Sequence, residues 1–278
     1  MVRIVAYQGV HGAYSYIAAC DLYPKAKYLS CLTFRDVFDA VQSGKADVAV
    51  IPVENSNAGR VADVHFLLSE TNLYIEKEYF LRIRHQLIGL PEAEISNVKF
   101  VHSHIQALMQ CGNYLTENSL EAIPEEDTSL SCNKILELND VSHAAIASDL
   151  AAKINGLKVL QHNIENEGDN TTRFLVMKKQ KDIPVDDNGE FFTSLIFTTK
   201  NLPAALYKAL GAFATNNINI VRIESYMPGG HFVPAQFYVE AETHIDRKDC
   251  KNALLELATY SDKINILGVY RAHSYRDL

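Results

Sequence analysis

Short apolar runs alternate with stretches of helical periodicity along the first 180 residues. Ile4–Tyr7 reads as a strand. Phe34, Val37, Phe38 and Val41 then fall at i, i+3, i+4 and i+7, one face of a helix. Thr33, with Asp36 three residues on, makes a capping-box pattern, and Gly44 stands where that helix should stop. Val48–Val53 reads as a buried strand, after which Val61, Val64, Leu67 and Leu68 restore helical spacing. Val98–Val101 is strand-like and leads into a helix with Ile105, Leu108, Met109 and Leu115 on one apolar face. Ala144–Ala147 and Thr172–Met177 look like further strands. Strands separated by helices predict βαβ units, an α/β fold and a largely parallel sheet.

The periodicity lapses over Lys178–Glu190, a polar, turn-rich stretch with Pro184 and an Asp-Asp-Asn-Gly run, which reads as a linker. Beyond it come a strand (Phe192–Thr199), a helix with Pro203 in its first turn and Leu206, Leu210 and Phe213 on one face, and strands at Ile218–Ser225 and Phe232–Ala241. A helix through Cys250, Leu254 and Leu257 and a last strand at Ile264–Tyr270 follow. That order is βαββαβ, a ferredoxin-like plan. With 278 residues the chain has room for about two domains.

Composition narrows the partners. A formal charge of −8 without a Lys/Arg-rich run argues against nucleic acid and anionic membranes. No 18-residue apolar stretch and no signal-like leader is present, so the expected location is the cytoplasm. The five cysteines are scattered and free of C-x-x-C spacing, as expected of reduced thiols. His102 and His104 lack a third ligand nearby, so no metal is expected.

An anionic small molecule would need local donors in so acidic a chain. Gly9–Ser15, Glu54–Gly59 and His102–Gln106 sit where strands hand over to helices, the ligand-binding edge of an open α/β sheet. Helix N-termini there offer free N–H groups to a carboxylate. Each motif also has a plain structural reading. Gly9-x-x-Gly12-x-x-Ser15 lacks the Lys-Ser/Thr ending of a nucleotide loop and reads as a turn with Ser15 as N-cap. Ser103 with Gln106 satisfies a capping box. Glu54-Asn55-Ser56 reads either as a solvated turn or as a set of groups orienting a hydroxylated ligand. Arg173, inside the apolar run Thr172-Arg173-Phe174-Leu175-Val176, either forms a salt bridge or grips a carboxylate with its planar fork.

Gly12-Ala13-Tyr14-Ser15, Pro52–Gly59, Ser103–Cys111 and Thr172-Arg173-Phe174, in that order and spacing, resemble the prephenate dehydratase family over essentially the whole chain. Family members carry Thr or Ala where Ala13 stands. The resemblance implies a catalytic domain over 1–180, built like a periplasmic binding protein from two lobes around a cleft (about 1–81 plus 157–177, and 82–156). It also implies an ACT regulatory domain over 191–278.

The implied reaction is loss of CO2 and of the ring hydroxyl from prephenate to give phenylpyruvate, a carbon–oxygen lyase step in phenylalanine biosynthesis with no cofactor. The resemblance assigns Thr172 as the hydrogen-bond donor or relay for the departing hydroxide, with Glu54, Asn55, Ser103 and Gln110 orienting substrate or supporting Thr172. Ala13, Tyr14, Ser15, Ser56, Arg173 and Phe174 are implied to hold substrate. Pro203, Ala204, Ala205, Leu206, Glu224 and Ser225 are implied to hold phenylalanine as allosteric ligand. Two places depart from the ACT pattern: Ala204-Ala205 replaces Gly-Ala, and Tyr226-Met227-Pro228 follows Glu224-Ser225 where Arg-Pro is usual. No chorismate mutase helix precedes residue 1, so a monofunctional enzyme is expected, as a homodimer or homotetramer. Arogenate dehydratase and a non-catalytic amino-acid-sensing protein are the alternatives. A binder would need no hydroxyl at Thr172.

Overall fold

The computed structural model describes residues 2–125, 128–226 and 235–277. The Met227-Pro228 departure, the Gly229-Gly230 pair and the start of the predicted strand at Phe232 lie outside the described residues. The chain forms two units, residues 1–61 with 80–174 and residues 62–79 with 175–278.

In chain order the first unit holds β1 (Ile4–Gln8), α1 (Tyr14–Leu22), β2 (Lys27–Cys31), α2 (Phe34–Gln42), β3 (Val48–Asn55) and β4 (Gly59–Arg60). Then α3 (Ala62–Glu70) and most of β5 (Tyr74–Arg82) belong to the second unit. The chain returns for β6 (Gln86–Gly89), β7 (Phe100–His104), α4 (Ile105–Gln110), α5 (Gly112–Glu117) and β8 (Glu121–Glu125). Next come α6 (Leu130–Leu138), β9 (His143–Ala147), α7 (Asp149–Ile154), β10 (Lys158–Gln161) and β11 (Thr171–Lys178).

The first unit has two sheets, one ordered β11-β3-β1-β2 and the other β10-β6-β9-β7-β8. Pairing of β1 with β2 and β3 is parallel, as is pairing of β7 with β8 and β9. β6 runs antiparallel to both β9 and β10, so the second sheet is mixed and the expectation of a largely parallel sheet holds only in part. Alternation along its strands fills both faces. Leu87, Ala144 and Ile146 join one core with Leu108 and Leu115, while Ile88, Ala145 and Ala147 join another with Ile135 and Ala151. A strand buried on both sides reads as a continuous apolar run.

The two lobes meet at Gly12. Its φ of +95° suits glycine, and a Cβ there would lie 2.7 Å from Ala151 Cα in α7. Ser148 Oγ donates to Gly12 O (2.6 Å) while accepting the Ala151 N–H (3.0 Å), which caps α7 and ties it to the α1 loop.

Local signals in the first unit succeed where they are short-range. The Thr33–Asp36 capping box is formed in both directions, and Gly44 takes φ +80° beyond α2. Longer periodic readings need correction. Ile105 and Met109 are 48% and 70% exposed while Leu108 and Leu115 are buried, and the predicted helix is divided at Cys111 into α4 and α5. The strand predicted from Val98 begins at Phe100, since Ile95–Asn97 forms a single tight turn of helix. Glu54–Gly59 is not a strand-to-helix junction; it closes the β3–β4 hairpin, with Asn55 opposite Gly59.

In the second unit β12 (Phe191–Thr199), α8 (Ala205–Thr215), β13 (Ile220–Tyr226), β14 (Gln236–Ala241), α9 (Lys248–Tyr260) and β15 (Ser261–Arg271) form the βαββαβ plan. Its sheet runs β13-β14-β12-β15 with antiparallel pairs, and Leu195, Phe197, Phe213, Val239 and Leu257 fill the core under α8 and α9. Gly268 lets β15 pair with β5, since a Cβ there would meet Ile75 O at 2.6 Å. Pro203 precedes α8 instead of opening it. Ala204 takes the cap position at φ +59°, a left-handed conformation that costs an L-residue about 1 kcal/mol. No helix among the described residues is long and apolar enough to cross a membrane. All five cysteines are free thiols.

Two buried carboxylates in this unit share one arginine. Arg276, in the turn Ser274–Asp277, bonds Glu78 of β5 through Nε (2.7 Å) and Nη2 (2.8 Å), and Nη2 also reaches Glu240 Oε2 (3.3 Å). Glu78 and Glu240 side chains are 0% and 1% exposed. Withdrawing the cation removes a charged partner from both buried carboxylates. Arg276→Met should therefore lower stability to urea by about 3 kcal/mol. An unfolding curve unchanged from the parent protein would show that these carboxylates do not depend on Arg276.

Candidate active site

A tight hairpin turn sets the direction of every polar contact in the site. Asn55 ends β3, and its Oδ1 accepts the backbone N–H of Asn57 (3.0 Å) and of Ala58 (2.9 Å). An amide oxygen held by two N–H donors cannot exchange places with its nitrogen, so Nδ2 must face away from the turn. It donates to Asn170 Oδ1 (2.7 Å) and to Thr172 Oγ1 (2.9 Å). Asn170 precedes β11 and Thr172 is its second residue, and the strands are laced together at Ser56. The Thr171 N–H donates to Ser56 Oγ (3.0 Å) and the Ser56 N–H to Thr171 O (2.9 Å).

The polarity propagates into the second lobe. With Oδ1 occupied, Asn170 donates Nδ2 to Gln110 Oε1 (3.0 Å) in α4, and Gln110 Nε2 approaches Asn55 Oδ1 at 3.4 Å. His85 Nε2 lies 2.8 Å from the same Gln110 Oε1, which can only accept, so Nε2 carries the imidazole proton. Nδ1 then faces the Tyr14 hydroxyl, 3.1 Å away, whose single hydrogen is directed to Arg84 O at 2.7 Å. Burial favours this uncharged state. It holds the Tyr14 phenol well above its ordinary pKa and lowers that of His85, against the opposing pull of Gln110 and Glu165.

Thr172 stands at the end of this cluster. Because its oxygen accepts from Asn55, its own hydrogen is available to a second acceptor. Chemically the site is a neutral hydrogen-bond donor held at one point by two lobes.

The structure brings together five of the residues singled out from the sequence (Thr172, Asn55, Gln110, Tyr14 and Ser56) and places the others elsewhere. Glu54 is half-buried in β3, in register with Arg60. Ser103 is fully buried and donates to Ile146 O (2.8 Å) across β7 and β9. The Ser103–Gln106 box is not formed, because β7 continues to His104, whose Nδ1 accepts the Gln106 N–H (3.3 Å) and caps α4. The cap of α1 is Ala13, which has no side-chain bond; Ser15 is buried within the helix. Strand alternation puts Phe174 on the Thr172 face and buried Arg173 on the other. Pro203 and Ala204 are exposed before α8, Ala205 is buried in its first turn and Leu206 packs on the core. Glu224 and Ser225 lie on β13, with Glu224 Oε1 3.7 Å from Arg222.

Sequence reading missed Asn170 and His85. Each had a weak signal: Asn170 stands at the head of an apolar strand, and His85 lies in the polar stretch Arg84-His85-Gln86 between apolar Ile83 and Leu87-Ile88. His102 is bonded to Glu125 (2.8 Å) and His143 (2.8 Å), and among the described residues no group of three or more His, Cys, Asp or Glu is arranged to hold a metal.

A cluster of uncharged donors and acceptors drawn from both lobes of an α/β unit and ending on a hydroxyl defines a small-molecule enzyme site. The family model for prephenate dehydratase matches residues 5–182, and the chain belongs to that family. A bifunctional N-acyl-homoserine lactone acylase/prephenate dehydratase of Komagataeibacter europaeus is 39% identical over 274 residues, covering 99% of this chain and 98% of that protein. Arogenate dehydratase/prephenate dehydratase 2 of Arabidopsis thaliana is 38% identical, covering 96% of this chain and 72% of that one. The crystal structure of prephenate dehydratase from Arthrobacter aurescens in complex with L-Phe superposes with a TM-score of 0.88 at 27% identity, covering 97% of this chain and 90% of the other.

Because the fold favours a neutral His85, this group's contribution to stability is present above its ordinary value of 6.5 and is lost as pH falls through its lower folded-state value. Nitrogen NMR should find the neutral ring protonated on Nε2 and titrating below 6.5. A ring that titrates at or above that value, or carries its proton on Nδ1, contradicts the assigned polarity.

Proposed function

We propose that the chain is a prephenate dehydratase, a carbon–oxygen lyase. The single observation that supports this most is the Asn55–Thr172 hydrogen bond, which frees the Thr172 proton for an outside acceptor. In the reaction the bond to the ring carboxylate breaks and its electron pair becomes part of the new aromatic ring. Hydroxide leaves from the opposite carbon and takes up one proton to depart as water. Aromatisation drives the step, so the barrier lies in the poor leaving group, which a positioned donor lowers. A threonine hydroxyl is too weak an acid to act alone. Thr172 therefore stabilises the departing oxygen by hydrogen bonding while a proton from solvent converts it to water. Asn55 and Gln110 hold that hydroxyl in place, and Glu54, Ser56 and Tyr14 lie along the same strand ends and helix start.

The protein should form phenylpyruvate from prephenate faster than it forms phenylalanine from arogenate, and Thr172→Ala should lower kcat by about 10²–10³ while remaining folded. A folded Thr172→Ala protein with undiminished kcat would remove Thr172 from the mechanism, and faster turnover of arogenate would reassign the substrate. The end-to-end match to the Komagataeibacter protein favours one further activity, amide hydrolysis of N-acyl-homoserine lactones. Fatty-acid release from such a lactone in that assay supports it; none rejects it.

We further propose that residues 1–180 form the catalytic domain and 191–278 an ACT domain. It would bind phenylalanine near Pro203–Leu206 and Glu224–Ser225, in a cytoplasmic homodimer or homotetramer. The βαββαβ order supports this, as do Val221 and Ile223, 39% and 43% exposed on the end strand β13. The methyl group of Ala204 crowds the backbone there, so inhibition should be weak and should strengthen in Ala204→Gly, which also relieves the left-handed strain. Calorimetry with phenylalanine checks both; equal affinity in the two proteins separates Ala204 from ligand binding.

A further inference from the structure

Asn170 and His85 belong to neither the substrate-facing set nor the packing core, yet both are buried polar side chains hydrogen-bonded to members of the cluster. Burying an amide and an imidazole costs free energy unless their groups are satisfied in one consistent direction. Asn55 can turn Nδ2 toward Thr172 only if its other Nδ2 hydrogen finds an acceptor, and that acceptor is Asn170 Oδ1 (2.7 Å). Asn170 presents oxygen there only while its nitrogen is taken by Gln110 Oε1 (3.0 Å). Gln110 in turn presents oxygen to Asn170 because His85 Nε2–H donates to that same oxygen (2.8 Å). A reversed Gln110 would set two N–H donors against each other at Asn170. The backbone of the Asn57–Ala58 turn locks one end of the chain, and the His85 ring meets the Gln110 oxygen at the other.

We propose that Asn170 and His85 are positioning residues for Thr172: together they hold the amide cluster in the one polarity that leaves the Thr172 proton pointing outward. This rests on the dehydratase reading of the same site. Neither residue touches the reacting atoms, so their loss should appear in kcat and leave KM nearly intact.

Asn170→Asp keeps the shape of the side chain and replaces the Nδ2 donor with an acceptor, which sets an oxygen against Gln110 Oε1. Its kcat on prephenate should fall about tenfold to a hundredfold, with KM changed by less than about threefold. His85→Leu should lose a similar factor, and His85→Gln, whose amide can again donate to Gln110, should recover part of it. Combined with Thr172→Ala, Asn170→Asp should cause no further loss, because the group it positions is gone. Thermal unfolding of each protein shows that it is folded, and the His85 pair carries the test if Asn170→Asp is not. An unchanged kcat in folded Asn170→Asp and His85→Leu overturns the proposal. So does an equal loss in the Thr172→Ala background, or His85→Gln behaving like His85→Leu. Wild-type protein without phenylpyruvate formation would instead reject the dehydratase reading itself.

Discussion

Two backbone N–H groups in the β3–β4 turn fix which way the Asn55 amide faces, and the polarity of the site follows from that one constraint. A side-chain amide is symmetric in shape and opposite in chemistry at its two ends. Pinning its oxygen therefore settles the orientation of each amide it touches. From Asn55 the order passes to Asn170, Gln110 and His85. The result is a cluster with no charge of its own that presents a single hydroxyl donor. For expelling hydroxide from an anionic substrate such a site has an advantage: it supplies a donor without a titrating acid whose state would change with pH.

The fold supplies this cluster from two lobes. Asn55, Asn170 and Thr172 sit at the ends of adjacent strands of one sheet, and Gln110 and His85 come from the other lobe. The lobes are fastened independently at Gly12 and Ser148, where backbone approaches too closely for any side chain. Ile83, just before His85, donates its backbone N–H to Asn170 O (2.8 Å), so the segment carrying the imidazole is registered directly on the residue it helps to orient.

How much of this is legible in the sequence depends on the range of the interaction. The Thr33–Asp36 box involves neighbours three apart and is realised as written. The alternation that buries both faces of β6 and β9 is visible as unbroken apolar runs. The face shared by Ile105 and Met109 is not realised: both are exposed, and periodicity does not reveal that the predicted helix is split at Cys111. The Ser103 capping box is not formed; its hydroxyl donates to a strand carbonyl 43 residues away, a contact no local pattern shows. Asn55 and Thr172 stand out through their motifs. Asn170, bonded across 115 and 60 residues, carries only a weak local signal, since an asparagine before a strand ordinarily marks a turn.

Neutron diffraction from a deuterated crystal reads the central claim without passing through activity. The account predicts deuterium on Asn55 Nδ2 directed at Thr172 Oγ1, deuterium on Thr172 Oγ1 directed away from Asn55, and the His85 ring deuteron on Nε2. Deuterium on Thr172 pointing at Asn55, with the amide oxygen facing it, would contradict the account.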